Sequence, residues 1–281
     1  MGAQAAALLD AGGPVGELPP AWEPGATVRL QAPAAYDLDR VARGHAGVGH
    51  APSAYDGTRL HRVLPGGVRA AVNPDLRVDL SGPADVIALL RDVLCLDDDL
   101  TSLHEACDRV PSLAWVRGAG AGRVLRAPTA FEDLAGVLAS TNTSYAATRR
   151  MLAGIVRVAF PTPDEVLTLG EADARAAGWG YRAPALLALA ARAGEIEHWR
   201  TPEVDDDEVL AGLESLPGFG AYAAATALPL LGHRPRPLVL DGWLRRQVAD
   251  PSVYAPMGRW AGTGLWLAVT AHRGGNGPRG R

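Results

Sequence analysis

The sequence predicts an α+β fold: a mixed region of strands and helices, followed by a mostly α-helical body. Three observations carry this expectation. Short alternating apolar runs bounded by turn residues occupy much of residues 25–80. Helix-capping signals dominate from about residue 128 onward. The segment Leu216-Pro217-Gly218-Phe219-Gly220 turns sharply between two helical stretches.

The elements follow in order. Thr27-Val28-Arg29-Leu30 alternates as a strand. Leu60 to Leu64 and Val68 to Val72 flank Pro65-Gly66-Gly67, a hairpin signal, and Leu76 to Leu80 gives another alternating strand. Ala84 to Leu96 places apolar residues at helical spacing. Further on, Thr129 with Glu132, Thr162 with Glu165 and Asp205 with Glu208 fit the capping-box spacing. Pro163 takes the first-turn position that proline prefers. Gly178 and Gly232 follow helical runs as C-terminal caps. The expected units are a disordered Ala/Gly/Pro-rich leader over 1–24, a mixed α/β domain over 25–115, a helical region over 116–272 and a flexible Gly-rich tail over 273–281.

Composition narrows the function. At 281 residues and 48% hydrophobic content the chain can bury a large core. No apolar run reaches the 18 or more residues of a membrane helix, so no membrane partner is expected. Cys95 and Cys107 are too few for a disulfide framework and fit a reducing cytoplasm. The net charge of −4 is unusual for a nucleic-acid binder, but it is uneven: residues 1–115 carry 9 Arg against 15 acids, and residues 116–281 carry 18 Arg against 16. All 27 basic residues are arginine; the sequence has no lysine. His45 and His50 lack a clear third ligand, so no metal site is expected.

The turn at 216–220 is the strongest site signal. Its two glycines are expected to supply conformations that a Cβ would forbid. They would present free backbone N–H groups at the start of a helix from Ala221 to Leu231, a seat for one phosphate. Asp241 follows twenty-one residues after Gly220, between Leu238-Val239-Leu240 and Gly242-Trp243-Leu244. It is also a natural N-cap for a helix from Gly242 to Val248.

This Leu-Pro-Gly-x-Gly hairpin followed by an aspartate resembles the helix-hairpin-helix DNA glycosylases; the resemblance spans roughly residues 25–270 and implies a small antiparallel β-sheet domain with helices, followed by a mostly α-helical helix-hairpin-helix body. It implies base excision from double-stranded DNA carrying a damaged base, by a monomer that is cytoplasmic and nucleoid-associated when bound. Leu216, Pro217, Gly218, Phe219 and Gly220 would hold the DNA backbone, with a monovalent cation on the hairpin carbonyls as in relatives and no other cofactor. Asp241 would be catalytic. Bifunctional members place a lysine two residues after the last hairpin glycine; here that residue is Tyr222. Arginine stays protonated and cannot replace the amine nucleophile, so the chain should be monofunctional, with water attacking.

Two further stretches resemble the 8-oxoguanine branch, and Tyr222 matches an aromatic that the alkylpurine branch stacks on the extruded base. Gly178-Trp179-Gly180-Tyr181-Arg182 is similar to a stretch in which the tyrosine wedges into the duplex and the arginine contacts the unpaired base. Ser140-Thr141-Asn142-Thr143-Ser144 resembles one whose asparagine fills the space left by the flipped base; Asn142 matches it. Relatives read cytosine with an arginine five residues later, where this chain has Ala147. Tyr222 is the expected stacking residue of the base pocket, with Trp179 and Trp243 as further candidates. A damaged purine, alkylated first, is the implied substrate. An 8-oxoguanine-type glycosylase without lyase activity and a non-catalytic hairpin DNA-binding protein stay open as alternatives.

Overall fold

The structure is a computed structural model that describes residues 16–44, 50–232, 234–240 and 244–270. The first fifteen residues of the expected leader, the expected tail, His45, Asp241 and Trp243 lie outside the described residues.

The first unit is built on a five-stranded antiparallel sheet. Its strands are β1 (Ala26–Arg29), β2 (Ser53–Tyr55), β3 (Leu60–Val63), β4 (Arg69–Val72) and β5 (Arg77–Leu80), in spatial order β1-β5-β4-β3-β2. The register aligns Val28, Val78, Val72, Leu60 and Tyr55 in one row across all five strands. Residues in such a row share one face, so alternation along each strand yields one apolar face. That face packs with helices α1 (Leu38–Arg43) and α2 (Ile87–Val93) into a single core. Four strands fall within a residue of their expected positions. Strand β2 was not expected, because three residues are too few to display alternation. The helix expected over 84–96 is shorter: a 3-10 turn at Ala84–Val86 precedes α2, and Cys95 at φ +55° ends it.

Helices α3 (Thr101–Cys107) and α4 (Trp115–Gly118) lead into the helical body. Its members are α5 (Ala130–Ser140), α6 (Tyr145–Ile155), α7 (Pro163–Ala174), α8 (Ala183–Ala191), α9 (Ala193–His198), α10 (Asp206–Glu214) and α11 (Ala221–Ala227). Phe131, Leu134, Trp179, Leu186, Leu213 and Phe219 belong to its core. Beyond it come α12 (Leu244–Gln247), a 3-10 run at Pro251–Trp260 and α13 (Ala261–Thr270). This last segment returns to pack Tyr254, Met257, Trp260 and Leu265 against Leu103, Leu113 and Val116. Residues 254–265 thereby brace the segment that joins sheet and body.

Of the three expected capping boxes, only Thr162–Glu165 closes in both directions. Thr129 caps the N–H of Glu132, but the Glu132 carboxylate is taken by Arg62 of β3. Asp205 accepts from Asp207 rather than from Glu208. Further ion pairs tie α2 and the segment after it to the body and its approach. Arg126 donates to Asp92 at 2.8 Å and to Asp98 at 2.7 Å, and Arg200 binds both Asp92 and Asp133. Burial pushes the Asp133 carboxyl up to about 7 against the opposing pull of Arg200. Among the described residues, no helix is long and apolar enough to cross a membrane.

Candidate functional site

Helix α10 ends at Glu214, and the chain turns through 215–220 into α11. The turn is held from below. Leu216 and Phe219 are buried at 3% and 4% exposure, and the Phe219 N–H donates to the Leu216 carbonyl at 3.0 Å. Pro217 and Gly218 are exposed between these anchors, and Gly220 is exposed just after them.

The two glycines differ. Gly218 sits at φ +85°, and a Cβ there would lie 2.6 Å from Leu138 Cδ1. Glycine is required by conformation and by close approach. Gly220 is at φ −83° and ψ 176°, a backbone any residue adopts, with no atom within 4 Å of where a Cβ would stand. The expectation that both glycines supply forbidden conformations is corrected for Gly220. Its outer side is open, and it caps α11 without a side chain. The first-turn N–H groups that follow have no carbonyl four residues back within the helix. Helix α11 is also shorter than the expected run to Leu231: Pro229, which has no N–H, lies in a 3-10 turn at Leu228–Leu230.

The hairpin lies beside two other expected stretches. Gly218 approaches Leu138 of α5 and, at 3.8 Å, Ala185 of α8. Immediately past α5, the Thr141 carbonyl accepts from Arg182 Nη2, and Thr141 Oγ1 lies 3.5 Å from Arg182 Nε. The C-terminal end of α5 therefore gathers the hairpin, the loop carrying Asn142 and the turn carrying Tyr181 and Arg182. Asn142 is exposed at φ +45°. Tyr181 is 70% exposed, the most exposed aromatic side chain of the described residues. The Arg182 guanidinium stacks 4.4 Å from the Tyr181 ring centroid while being only 7% exposed itself. Gly178, at φ +97°, allows the bend that presents Tyr181.

Trp179, expected in the base pocket, is corrected. It has no exposed surface and lies in the core of the helical body. The tight turn alternates its side chains, sending Trp179 inward and Tyr181 outward.

Tyr222 is half-buried in the first turn of α11. The Arg236 guanidinium carbon lies 5.6 Å from its ring centroid and 5.3 Å from that of Trp266 on α13. Arg236 is buried, donates to Thr226 Oγ1 at 3.0 Å, and is held through its backbone by Thr263 and Gly262. Leu240, the residue before Asp241, packs against the same apolar cluster as Tyr222. Arg236 and Trp266 were missed in the sequence. The signal for the first was Pro235-Arg236-Pro237, an extended segment with its backbone angles restricted by two prolines. For Trp266, distant in sequence, there was none. The helix expected over 242–248 is described only as α12, Leu244–Gln247.

No family model matches the chain, and no curated protein matches its sequence. Solved structures do match it. The 3-methyladenine DNA glycosylase from Archaeoglobus fulgidus superposes with a TM-score of 0.67 at 18% identity, covering 87% of this chain and 98% of that one. The chain has the fold of DNA glycosylases. MBOgg1, in complex with a low-affinity DNA ligand, gives the same TM-score at 18% identity over 88% of this chain and 96% of that one. The 8-oxoguanine glycosylase/lyase of Clostridium acetobutylicum, in complex with double-stranded DNA containing cytosine opposite 8-oxoG, gives 0.58 at 19% identity over 76% and 84%. Within this glycosylase fold the hairpin, the Asn142 loop and the Tyr181 turn form one surface, and Tyr222, Arg236 and Trp266 form a second group beside α11.

Proposed function

We propose that this protein is a monofunctional DNA glycosylase of base excision repair, hydrolysing the N-glycosidic bond of a flipped, damaged purine, with alkylated purines first among them. The observation that carries the reading is the convergence at the end of α5: an exposed glycine hairpin, an exposed asparagine and an exposed tyrosine, on a glycosylase fold.

Each part has a task. The hairpin backbone, open at Gly220, seats a phosphate near the lesion and offers its outward carbonyls to a monovalent cation. Tyr181 enters the duplex and Asn142 occupies the gap, offsetting part of the cost of extrusion. Arg182, expected to contact the unpaired base, is instead buried and tied to Thr141, so its part is to hold the Tyr181 ring it stacks on. Tyr222 faces the extruded base.

Breaking the C1′–N bond leaves positive charge on the deoxyribose as the base departs with the bonding electrons. Asp241 stabilises that charge and orients the attacking water, which passes a proton to the Asp241 carboxylate as the new C1′–O bond forms. With no lysine in the sequence, no lysine Schiff base forms and the strand stays intact. The likeness to 8-oxoguanine enzymes keeps a second reading in view, a glycosylase for that lesion without the lyase step.

A panel of duplexes bearing 3-methyladenine, 7-methylguanine, hypoxanthine or 8-oxoguanine tests the proposal. Alkali-labile abasic sites should appear with at least one lesion, the strand staying whole before alkali. Borohydride should trap no covalent adduct. Release from none of the four rejects the glycosylase reading, and a stoichiometric trapped complex rejects the monofunctional one.

A further inference from the structure

Three stretches without acidic residues meet at the end of α5. They are residues 134–163, 174–194 and 215–240, in a chain with 31 acids and a net charge of −4. The first carries the Asn142 loop and α6, the second the Tyr181 turn, and the third the hairpin. None of the three brings a carboxylate to repel phosphate. Their positive charge is concentrated in one place. Arg182, Arg234 and Arg236 are buried. Arg175 pairs with Glu171 at 2.7 Å and Arg192 with Glu195 at 2.8 Å. Arg149 and Arg150 of α6 have no acid partner among the described residues.

We propose that the outward face of α6 is a DNA-backbone contact surface, with Arg149 and Arg150 neutralising phosphates beside the Tyr181 turn. This rests on the reading of the hairpin, Asn142 and Tyr181 as a DNA-binding surface.

The helix is oriented for this contact. Tyr145, Thr148, Met151, Leu152 and Ile155 are buried, while Ala146, Arg150, Ala153 and Gly154 are exposed. Ala147, Arg150 and Gly154 follow one another at helical spacing on one stripe. A Cβ on Gly154 would stand 2.2 Å from the Ala177 carbonyl, and a Cβ on Gly178 would stand 4.0 Å from Met151. The stripe therefore closes on the turn that presents Tyr181. Helix side chains tilt toward the N-terminus, which directs Arg150 toward the Asn142 loop. Arg149 is half-buried about 100° further around the helix. Ala146, Ala153 and Gly154 add little bulk, so a phosphate backbone can come close to the helix. With no acid on α6 itself, nothing on the helix competes with phosphate for the two guanidinium groups.

Each arginine that neutralises a phosphate releases condensed counterions and steepens the plot of log K against log salt by about 0.9. The test measures that slope by fluorescence anisotropy, on a duplex bearing one hypoxanthine, over a salt series. Wild type is compared with Arg149→Gln, Arg150→Gln, the double variant, Arg150→Lys and Arg77→Gln. Arg77 is an exposed arginine of β5 and controls for net charge. Melting curves confirm folding, and the single variants decide if the double variant does not fold. Each Gln variant should flatten the slope by about 0.9 and the double variant by about 1.8. Arg150→Lys and Arg77→Gln should leave it as in wild type. A slope unmoved by Gln at 149 and 150, or flattened equally by Arg77→Gln, overturns the inference. Tighter binding to an RNA duplex of the same sequence overturns DNA as the occupant. If the slopes respond as expected but no lesion is released, the glycosylase reading fails and the DNA surface stands. If bases are released while the slopes do not respond, only the α6 surface fails.

Discussion

Replacing each hairpin glycine by alanine separates the structural part of the turn from its outward-facing part. At Gly218, alanine must adopt φ +85°, which costs an L-residue about 1–2 kcal/mol. Its methyl would also meet Leu138 Cδ1 at 2.6 Å, inside a packed core where Leu138 is 1% exposed. Overpacking of this kind costs about 1–3 kcal/mol, so the two effects together come to about 3 kcal/mol. For 281 residues the unfolding entropy is roughly 0.6 kcal/mol per degree, which gives a fall in Tm of about 5 °C. At Gly220 the backbone is ordinary and the space is open. The loss of a favourable cap and the gain in backbone stiffness nearly cancel, leaving Tm within about 1 °C. The Gly220 methyl would instead stand between the hairpin and an approaching phosphate. Differential scanning fluorimetry and fluorescence anisotropy on a lesion-bearing duplex at fixed salt measure both effects. Gly218→Ala should lose stability; Gly220→Ala should keep stability and bind DNA several-fold more weakly. An equal loss of Tm in both variants would refute the geometric distinction. Undiminished DNA binding by Gly220→Ala would remove that residue from the interface.

Two more outcomes are expected. Tyr181→Ala should slow excision from a fully paired duplex far more than from a bulged substrate, because extrusion costs less once pairing is lost; equal slowing on both with a lowered Tm would make Tyr181 structural. Asp56 tests the sheet. Against the upward push of partial burial, the Arg59 N–H, the His61 ring and the Thr58 N–H hold its carboxyl down at about 2. A lowered carboxyl adds stability that is present above its unfolded value near 3.8 and is lost as pH falls through 2. Asp56→Asn should therefore cost about 1 kcal/mol at neutral pH after solvent screening, and the cost should vanish near pH 2. A pH-independent difference in chemical denaturation would contradict this.

Much of this was legible in the sequence because local rules and tertiary packing agree. The strands at 60–72 around Pro65-Gly66-Gly67 show both alternation and turn chemistry, and the structure keeps them. The hairpin was legible for the same reason: Leu216 and Phe219 are the only bulky apolar residues of the turn, and both are anchors. What was not legible depended on facing. Trp179 and Tyr181 are two residues apart in one glycine-rich turn, and only tertiary packing decides that one is core and the other exposed. The same holds for Glu132, whose capping role yields to a long-range partner on β3. The pairing of Arg236 with Tyr222 and Trp266 joins three segments far apart in sequence, which no local pattern encodes. Asp241 rests on its motif alone, since it lies outside the described residues.

That residue offers the most direct test of the central claim. Single-turnover release of a damaged purine should be measured for wild type and Asp241→Asn, beside DNA affinity and Tm. The variant should bind the lesion duplex and melt as wild type does, while excision falls by at least a hundredfold, the scale on which removing a transition-state stabilising group acts. Near-normal release by Asp241→Asn, with folding and binding intact, would contradict it.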